Sequence, residues 1–256
     1  MTFGFIIGFG FVGKATAKSF GVNKYLDLKD GNITLADGAH LDYCFICLPT
    51  PTSKTGRQTR ALSVIRGYIK RLTQLGFKGI FVIRSTVLPG TCRALAREFS
   101  ARIASCPEIL SEATWAHDAL HPGAVIVGAD DPATRKQVMD LWRKIPCDLR
   151  ISTDTVTAET LKYAFNTFFL TKIIWANQFY DFCRQNGADY DVIRDALTRH
   201  PWGSRHHFQV VHKGGRGGGG HCLPKDIKVF SKYSHLKLLK LVDSLNDSYL
   251  HSTHKS

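Results

Sequence analysis

Residues 3–13 read Phe3-Gly-Phe-Ile-Ile-Gly-Phe-Gly-Phe-Val-Gly13, an apolar strand running directly into G-x-G-x-x-G. Lys14–Phe20 has helical character, and Lys24-Tyr-Leu-Asp27 is a short second strand ending in an acid. A glycine triplet alone is a weak signal. Here a strand precedes it, a helix follows, and a carboxylate stands about 20 residues beyond the first glycine, which is the context of a dinucleotide-binding turn. Gly8 makes the tight turn, Gly10 lets a pyrophosphate approach, and Gly13 permits helix–strand packing. The helix N-terminus then faces the phosphates, and Phe11 and Val12 of the turn belong to the expected cofactor site. Asp27 would accept hydrogen bonds from the adenosine ribose and repel a 2′-phosphate, which favours NAD over NADP. Lys29 works against that preference.

The alternation continues down the chain. Tyr43–Leu48, Gly79–Arg84, Arg102–Ser105 and Ala124–Gly128 read as strands, and Leu62–Leu75, Cys92–Phe99 and Pro132–Lys144 as helices. This predicts an α/β fold with a Rossmann-like, doubly wound parallel sheet over residues 1–154. Functional residues then belong at the C-terminal ends of strands. Pro49-Thr50-Pro51, Ser85-Thr86 and Pro107-Glu108-Ile109-Leu110-Ser111-Glu112 hold such positions. From Thr155 the texture turns helical, and 155–256 is predicted to be a helical central and dimerisation region. Ala158–Arg184 has no Gly or Pro and carries Phe165, Phe168, Phe169, Ile173 and Trp175 on most sides, as a helix buried in the molecule's centre would. Asp191–Thr198 and Leu236–Leu250 are further helices, and the tail from His251 to Ser256 is expected to fray.

Bulk properties narrow the function. The chain has 256 residues, 44% hydrophobic and 21% charged, and a formal net charge of +13. No apolar run approaches a membrane span, and the start at Met1 has no basic leader. The positive charge is spread along the chain, with clusters at Lys213–Arg216 and Lys225–Lys240. It suits a field that attracts small anions. The competing reading is a nucleic-acid surface, for which no zinc finger or RNA-recognition signature is present. Seven scattered cysteines suit a reducing cytosol. Cys44 and Cys47 form C-x-x-C on a strand, where positions three apart point to opposite faces. That excludes a zinc clamp, and no metal is expected.

Gly217-Gly-Gly-Gly-His-Cys-Leu-Pro-Lys-Asp226 places Cys222 behind a glycine run, with Lys225 and Asp226 after it. A thiol there can reach a substrate carbonyl, and a nearby lysine and backbone N–H groups favour its thiolate. The alternative is a flexible glycine linker with an incidental cysteine. Lys162 and Asn166 are four apart on one helical face. They can offer a cation and an amide to a developing oxyanion, or be a snorkelling lysine and a surface amide. Asp226 can serve as a base or as a helix N-cap before Ile227. Glu108 and Glu112 can be site acids or first-turn helix acids.

Together these motifs resemble the nucleotide-sugar dehydrogenases of the UDP-glucose 6-dehydrogenase and UDP-N-acetylmannosamine dehydrogenase type. The matching pieces occur in that family's order: Gly8–Gly13, Cys47-Leu-Pro-Thr-Pro51, Ser85-Thr-Val-Leu-Pro-Gly-Thr91, Pro107–Glu112, Ala158-Glu-Thr-Leu-Lys-Tyr-Ala-Phe-Asn166 and Gly219–Asp226. The resemblance implies a cytoplasmic enzyme of polysaccharide precursor synthesis that oxidises a sugar C6 alcohol to a carboxylate with two NAD and one water. It implies Cys222 as nucleophile, Lys162 and Asn166 at the oxyanion, and Asp226 as the base or water-orienting carboxylate. Thr86 and Glu108 would organise the water, and Glu112 would lie near nicotinamide and substrate. Pro49, Thr50, Ser85 and Thr86 would line the NAD site. Ile109, Leu110, Ser111 and Gly219 would meet a UDP-linked sugar, and Arg205 would cross a homodimer interface to it.

The chain also departs from the family. It ends after Leu241–Asp247, where a further nucleotide-gripping domain is expected. The loop between Asp27 and Asp42 is short, and Ala176-Asn-Gln178 stands where Phe-Asn-Glu is usual. His221 is commoner in the N-acetylhexosamine branch. An NAD-binding homologue without turnover and a basic nucleic-acid-associated protein are the alternative functions.

Overall fold

The computed structural model describes residues 3–28, 30–51, 59–211 and 215–252. Lys29 and Lys213, and the tail 253–256, lie outside the described residues. The chain divides after Lys162 into two compact units.

The first unit alternates β1 (Gly4–Ile7), α1 (Phe11–Phe20), β2 (Tyr25–Leu26), α2 (Leu35–Gly38), β3 (Tyr43–Ile46), α3 (Thr59–Gln74) and β4 (Ile80–Ile83). It continues through α4 (Thr91–Phe99), β5 (Arg102–Ser105), α5 (Trp115–Asp118), β6 (Val125–Gly128), α6 (Pro132–Leu141) and β7 (Arg150–Thr153) to the start of α7 (Thr155–Asn186). The seven strands form one sheet in the order β2-β1-β3-β4-β5-β6-β7. β1 to β5 are parallel, so the order reverses beside β1 as a doubly wound sheet requires.

The period of two along each strand divides the core between the two faces. Phe5, Ile7, Cys44, Ile46, Phe81 and Ile83 pack with Ile65, Ile69 and Leu72 of α3 on one side. Ile6, Phe45, Cys47, Ile80 and Val82 pack with Val138 and Trp142 on the other. Cys44 and Cys47 thus fall into different cores, as their spacing implies. One expectation needs correcting: β6 pairs antiparallel to β5, and β7 follows β6 in parallel. The β5–β6 connection carries only the four-residue α5, not the long crossover helix that parallel neighbours use.

The parallel strands end in register. Ile7 pairs with Ile46, Ile46 with Ile83, and Ile83 with Ser105. The chain therefore leaves the sheet at one level as Gly8, Cys47, Arg84 and Cys106, and the loops predicted to carry function start from that edge.

The second unit holds the rest of α7 with α8 (Tyr190–Arg199), α9 (Cys222–Ser234) and α10 (Lys237–Ser252). Ala176, Cys183, Tyr190 and Val210 form one core with Phe179, Tyr180, Ile193 and Phe208. Tyr163 stacks on Phe230 of α9 at 4.7 Å between ring centroids. The expectation that α7 is buried on most sides fails along one stripe. Phe168, Trp175 and Phe182 are spaced by seven, and they are 58%, 41% and 55% exposed in the single chain.

Candidate active site

The glycine turn has the geometry a dinucleotide needs. Gly8 takes φ +92°, and a Cβ there would sit 2.8 Å from the Cys47 carbonyl oxygen. A Cβ on Gly13 would fall 2.1 Å from the Gly8 carbonyl oxygen, so α1 packs onto the turn only with glycine at that position. Gly10, in contrast, has nothing within 4 Å of its would-be Cβ. That open side, with exposed Phe11 and half-buried Val12 beginning α1, leaves room for a ligand over the helix start. The N-cap of α1 is Gly10, which has no side chain to cap the helix start. The Asp27 carboxylate accepts a hydrogen bond from the Phe9 amide at 2.6 Å, which holds the acid beside the turn. These features fit NAD.

Beyond β3 and β4, Ser85 donates its hydroxyl to the Leu48 carbonyl at 2.8 Å and locks the two loops together. Thr86, next to Ser85, and Thr50, two residues after Leu48, are buried, while Pro49 is exposed. Beyond β5, Glu108 is buried and Ile109 and Leu110 are half-buried; Ser111 and Glu112 are exposed. The first-turn reading of the two acids is excluded, since the next helix, α5, begins only at Trp115.

Among the described ion pairs of the first unit, the most buried joins Glu108 to Lys162. Lys162 Nζ donates to Glu108 Oε1 at 2.9 Å and to the Glu108 carbonyl oxygen at 2.7 Å. The two side chains are only 4% and 8% exposed. The other carboxylate oxygen accepts from the Leu110 amide at 2.7 Å. Lys162 is thus no snorkelling surface lysine. Glu159, three residues earlier, fixes its helix by accepting from the Gly90 and Cys92 amides at the start of α4. Burial raises the Glu159 carboxyl above its ordinary range, against those hydrogen bonds.

The second unit holds the thiol. Cys222 is not in a loop, as the glycine run suggests, but is the first residue of α9, with His221 at the cap position. A thiol at a helix N-terminus meets free N–H groups that favour the thiolate. Asp226 stands one turn further on the same helix and is fully buried, so its N-cap reading is also excluded. Asn166 Nδ2 donates to Asp226 Oδ2 at 2.6 Å. Lys225 Nζ lies 2.9 Å from Oδ1 as an ion pair. It is off the line of a hydrogen bond, and Oδ1 accepts none from the described residues. Gly219 sits in the approach to α9 with open space around it. Arg205 is exposed and lines an open depression with Arg199 and His200.

Five of the other thiols are buried. Burial pushes Cys47 up to about 11 and raises Cys44, Cys92 and Cys106 as well. None of the seven cysteines is in a disulfide; Cys147 and Cys222 are half-exposed and the other five are buried. No group of three or more His, Cys, Asp or Glu among the described residues is placed to hold a metal. No helix among them is long and apolar enough to cross a membrane.

The sequence reading missed the residues that hold the glycine run. Arg216 bonds Asn177 and Asp181 of α7, and Gly218 bonds Asn246 of α10. The available signal was that Arg216 is the one side chain within residues 214–220.

Comparison with known proteins agrees with this layout. Residues 28–146 match the NAD binding domain of the UDP-glucose/GDP-mannose dehydrogenase family, and residues 156–248 match its central domain. A UDP-glucose 6-dehydrogenase from Rickettsia conorii is 32% identical over 209 residues, covering 78% of this chain and 46% of that protein. One from Bacillus subtilis is 30% identical over 228 residues, covering 82% and 49%. The chain thus spans about half the length of the curated relatives it matches. The solved UDP-glucose dehydrogenase of Pyrobaculum islandicum superposes with a TM-score of 0.79 over 97% of this chain and 68% of its own, at 23% identity, which bears on the fold alone. With an NAD-binding domain and a central domain matched in sequence and in order, the chain belongs to the UDP-glucose/GDP-mannose dehydrogenase family.

Proposed function

We propose that this chain carries out the NAD-dependent oxidation of a nucleotide sugar, C6 alcohol to carboxylate, through a covalent bond to Cys222. The observation that carries the reading is the pairing on α9 of a thiol at the first helical position with a buried carboxylate one turn behind it. Residues i and i+4 share a helix face. A nucleophile and a base for its release are therefore mounted on one rigid element.

When bound, NAD supplies the hydride acceptor for each of the two oxidations. The chain's own groups do the rest. Cys222 Sγ adds to the aldehyde carbon, forming the C–S bond while the carbonyl π pair moves to oxygen as a thiohemiacetal. Loss of a second hydride from that carbon leaves a thioester. Water then attacks, its proton passing to Asp226, and the C–S bond breaks with its electrons returning to sulfur. The carbon loses two hydrides overall, and one water oxygen enters the carboxylate. Lys162 and Asn166 donate to the oxygen that gains charge, a contribution of about 3 kcal/mol per donor in such sites. Thr86 and Glu108 order the water, Glu112 serves the nicotinamide side, and Ile109, Leu110, Ser111, Gly219 and Arg205 serve a substrate we read as UDP-linked.

The same reading makes the chain a homodimer. Phe168, Trp175 and Phe182 form an exposed heptad-spaced aromatic stripe on α7, the pattern of a helix seam.

Incubation of the purified chain with NAD and a panel of UDP-, GDP- and dTDP-sugars tests the function. Two NADH per sugar consumed supports it. NAD binding without NADH from any sugar supports the homologue without turnover. Steeply salt-dependent nucleic-acid binding without NAD binding supports the third reading.

A further inference from the structure

Residues 214–220 contain six glycines and one side chain, Arg216. Ordering glycine costs more backbone entropy than ordering any other residue. A free run of this kind is a flexible linker. Residues 216–218 of this run are instead tied down one after another. Arg216 Nε donates to Asn177 Oδ1 at 3.0 Å, Nη2 to the Asn177 carbonyl at 3.0 Å, and Nη1 to Asp181 Oδ1 at 2.8 Å. Its guanidinium carbon lies 4.6 Å from the Tyr249 ring centroid and 5.3 Å from that of Tyr180. Tyr249 donates its hydroxyl to the second Asp181 oxygen at 2.8 Å. Arg216 is therefore held between α7 and α10.

The two following residues complete the clamp. The Gly217 amide donates to Asn177 Oδ1 at 3.4 Å. The Gly218 amide donates to Asn246 Oδ1 at 2.7 Å, and Asn246 Nδ2 returns a bond to the Gly218 carbonyl at 3.2 Å. Asn177 and Asn246 are buried, so these amides act as fixed backbone substitutes. Gly217 takes φ +74°, and a Cβ there would come within 3.0 Å of Asn246 Oδ1. Four residues after Gly218 the chain reaches Cys222.

We infer that Arg216 is a positioning residue for Cys222: it anchors the glycine run to α7 and α10 so that α9 begins at a fixed place with the thiol at its first position. The inference rests on the reading of Cys222 as the nucleophile. It assigns Arg216 no contact with substrate. A guanidinium fork serves three acceptors at once, which a lysine ammonium at the same place does not reproduce.

The test uses the full chain as wild type, Arg216→Ala and Arg216→Lys. Hydrogen exchange of the backbone amides of residues 217–221 reads the anchoring directly, whether or not Cys222 is catalytic. Arg216→Ala is expected to speed that exchange by about tenfold or more while leaving the sheet of the first unit protected. Peptide-resolved iodoacetamide labelling at pH 7 reads presentation of the thiol, with Cys147 as internal control. Labelling of Cys222 is expected to slow severalfold once its hold at the helix start is loosened, with Cys147 unchanged. Turnover, where present, is expected to fall by about 10²-fold in kcat with the KM for NAD unchanged. Arg216→Lys should lie between the two in every readout. Unchanged exchange at 217–221 in Arg216→Ala overturns the anchoring. Faster exchange with wild-type Cys222 labelling and wild-type kcat overturns the positioning role. Faster exchange and slower labelling in a chain whose wild type turns over no sugar upholds the inference and removes the proposed reaction instead.

Discussion

Asn166 Nδ2 donates to Asp226 Oδ2 across 2.6 Å, with both side chains buried and on different helices. This bond decides what each residue can do. It uses one carboxylate oxygen of Asp226 and leaves Oδ1 beside the Lys225 ammonium. Asn166 and Lys225 thus hold one carboxylate oxygen each and fix how the buried Asp226 is oriented on α9.

The two residues are therefore expected to respond differently to substitution. Asn166→Ala removes a donor from a buried carboxylate and should lower stability by about 1–3 kcal/mol, measured by urea unfolding. Asp226→Asn keeps an amide partner for Asn166 and should cost less. It should nevertheless stall release of product, so that a burst of NADH is followed by little steady turnover.

The Lys162–Glu108 pair makes a second prediction. Lys162→Met leaves Glu108 buried without its cation and should destabilise by about 3–5 kcal/mol. Lys162→Met with Glu108→Leu removes both charges and should recover most of that loss, while activity stays low. Recovery of activity along with stability would place the pair outside the chemistry.

The two glycines of the NAD turn should separate fold from cofactor. Gly13→Ala puts a methyl 2.1 Å from the Gly8 carbonyl oxygen and should lower the melting temperature without any ligand. Gly10→Ala meets open space in the protein, so its melting temperature should stay near wild type. Its affinity for NAD, read by calorimetry, should fall because the methyl occupies the ligand's side of the turn.

His207 gives the second unit a dependence on pH. Burial, with the nearby Lys172 charge, lowers its pKa from 6.5 to about 4. Above 6.5 neither folded nor unfolded chain protonates it. Between 6.5 and 4 the unfolded chain takes up the proton and the folded chain does not, so stability is lost as the pH is lowered across that window. His207→Asn tolerates the backbone φ of +78° and cannot titrate. Unfolding followed from pH 7 to pH 4 should lose about one proton of linkage in this variant.

Much of this was legible in the chain because local pattern and tertiary role coincided. Phe3–Gly13 alternates across a sheet buried on both faces, and Gly13 allows no other side chain, so the strand, turn and helix read directly. The capping box of Thr34 and Asp37 that starts α2 was readable but overlooked. β7 was hidden because an edge strand of Arg150-Ile-Ser-Thr153 has little apolar signal. The sequence could name Cys222, Lys162 and Asp226 as candidates. It could not show that Asp226 is buried within a helix, or that Lys162 binds Glu108, because both depend on partners more than fifty residues away. Glycine runs read as flexible from composition alone, and only the side chains of α7 and α10 show that this one is fixed.

The aromatic stripe of α7 predicts the assembly. Light scattering at micromolar concentration should give twice the chain mass, and Trp175→Glu with Phe182→Glu should shift it to the monomer. A wild-type monomer would contradict the dimer without touching the chemistry.

The covalent role of Cys222 is the central claim, and mass spectrometry of a stalled reaction tests it most directly. Asp226→Asn is mixed with NAD and the sugar nucleotide that gives NADH, quenched in acid within one turnover, and digested. The account predicts a sugar-nucleotide adduct on the peptide carrying Cys222, none on the peptide carrying Cys147, and no adduct or complete oxidation in Cys222→Ala. An unmodified Cys222 peptide, with Cys222→Ala still forming two NADH per sugar at the wild-type rate, would contradict it.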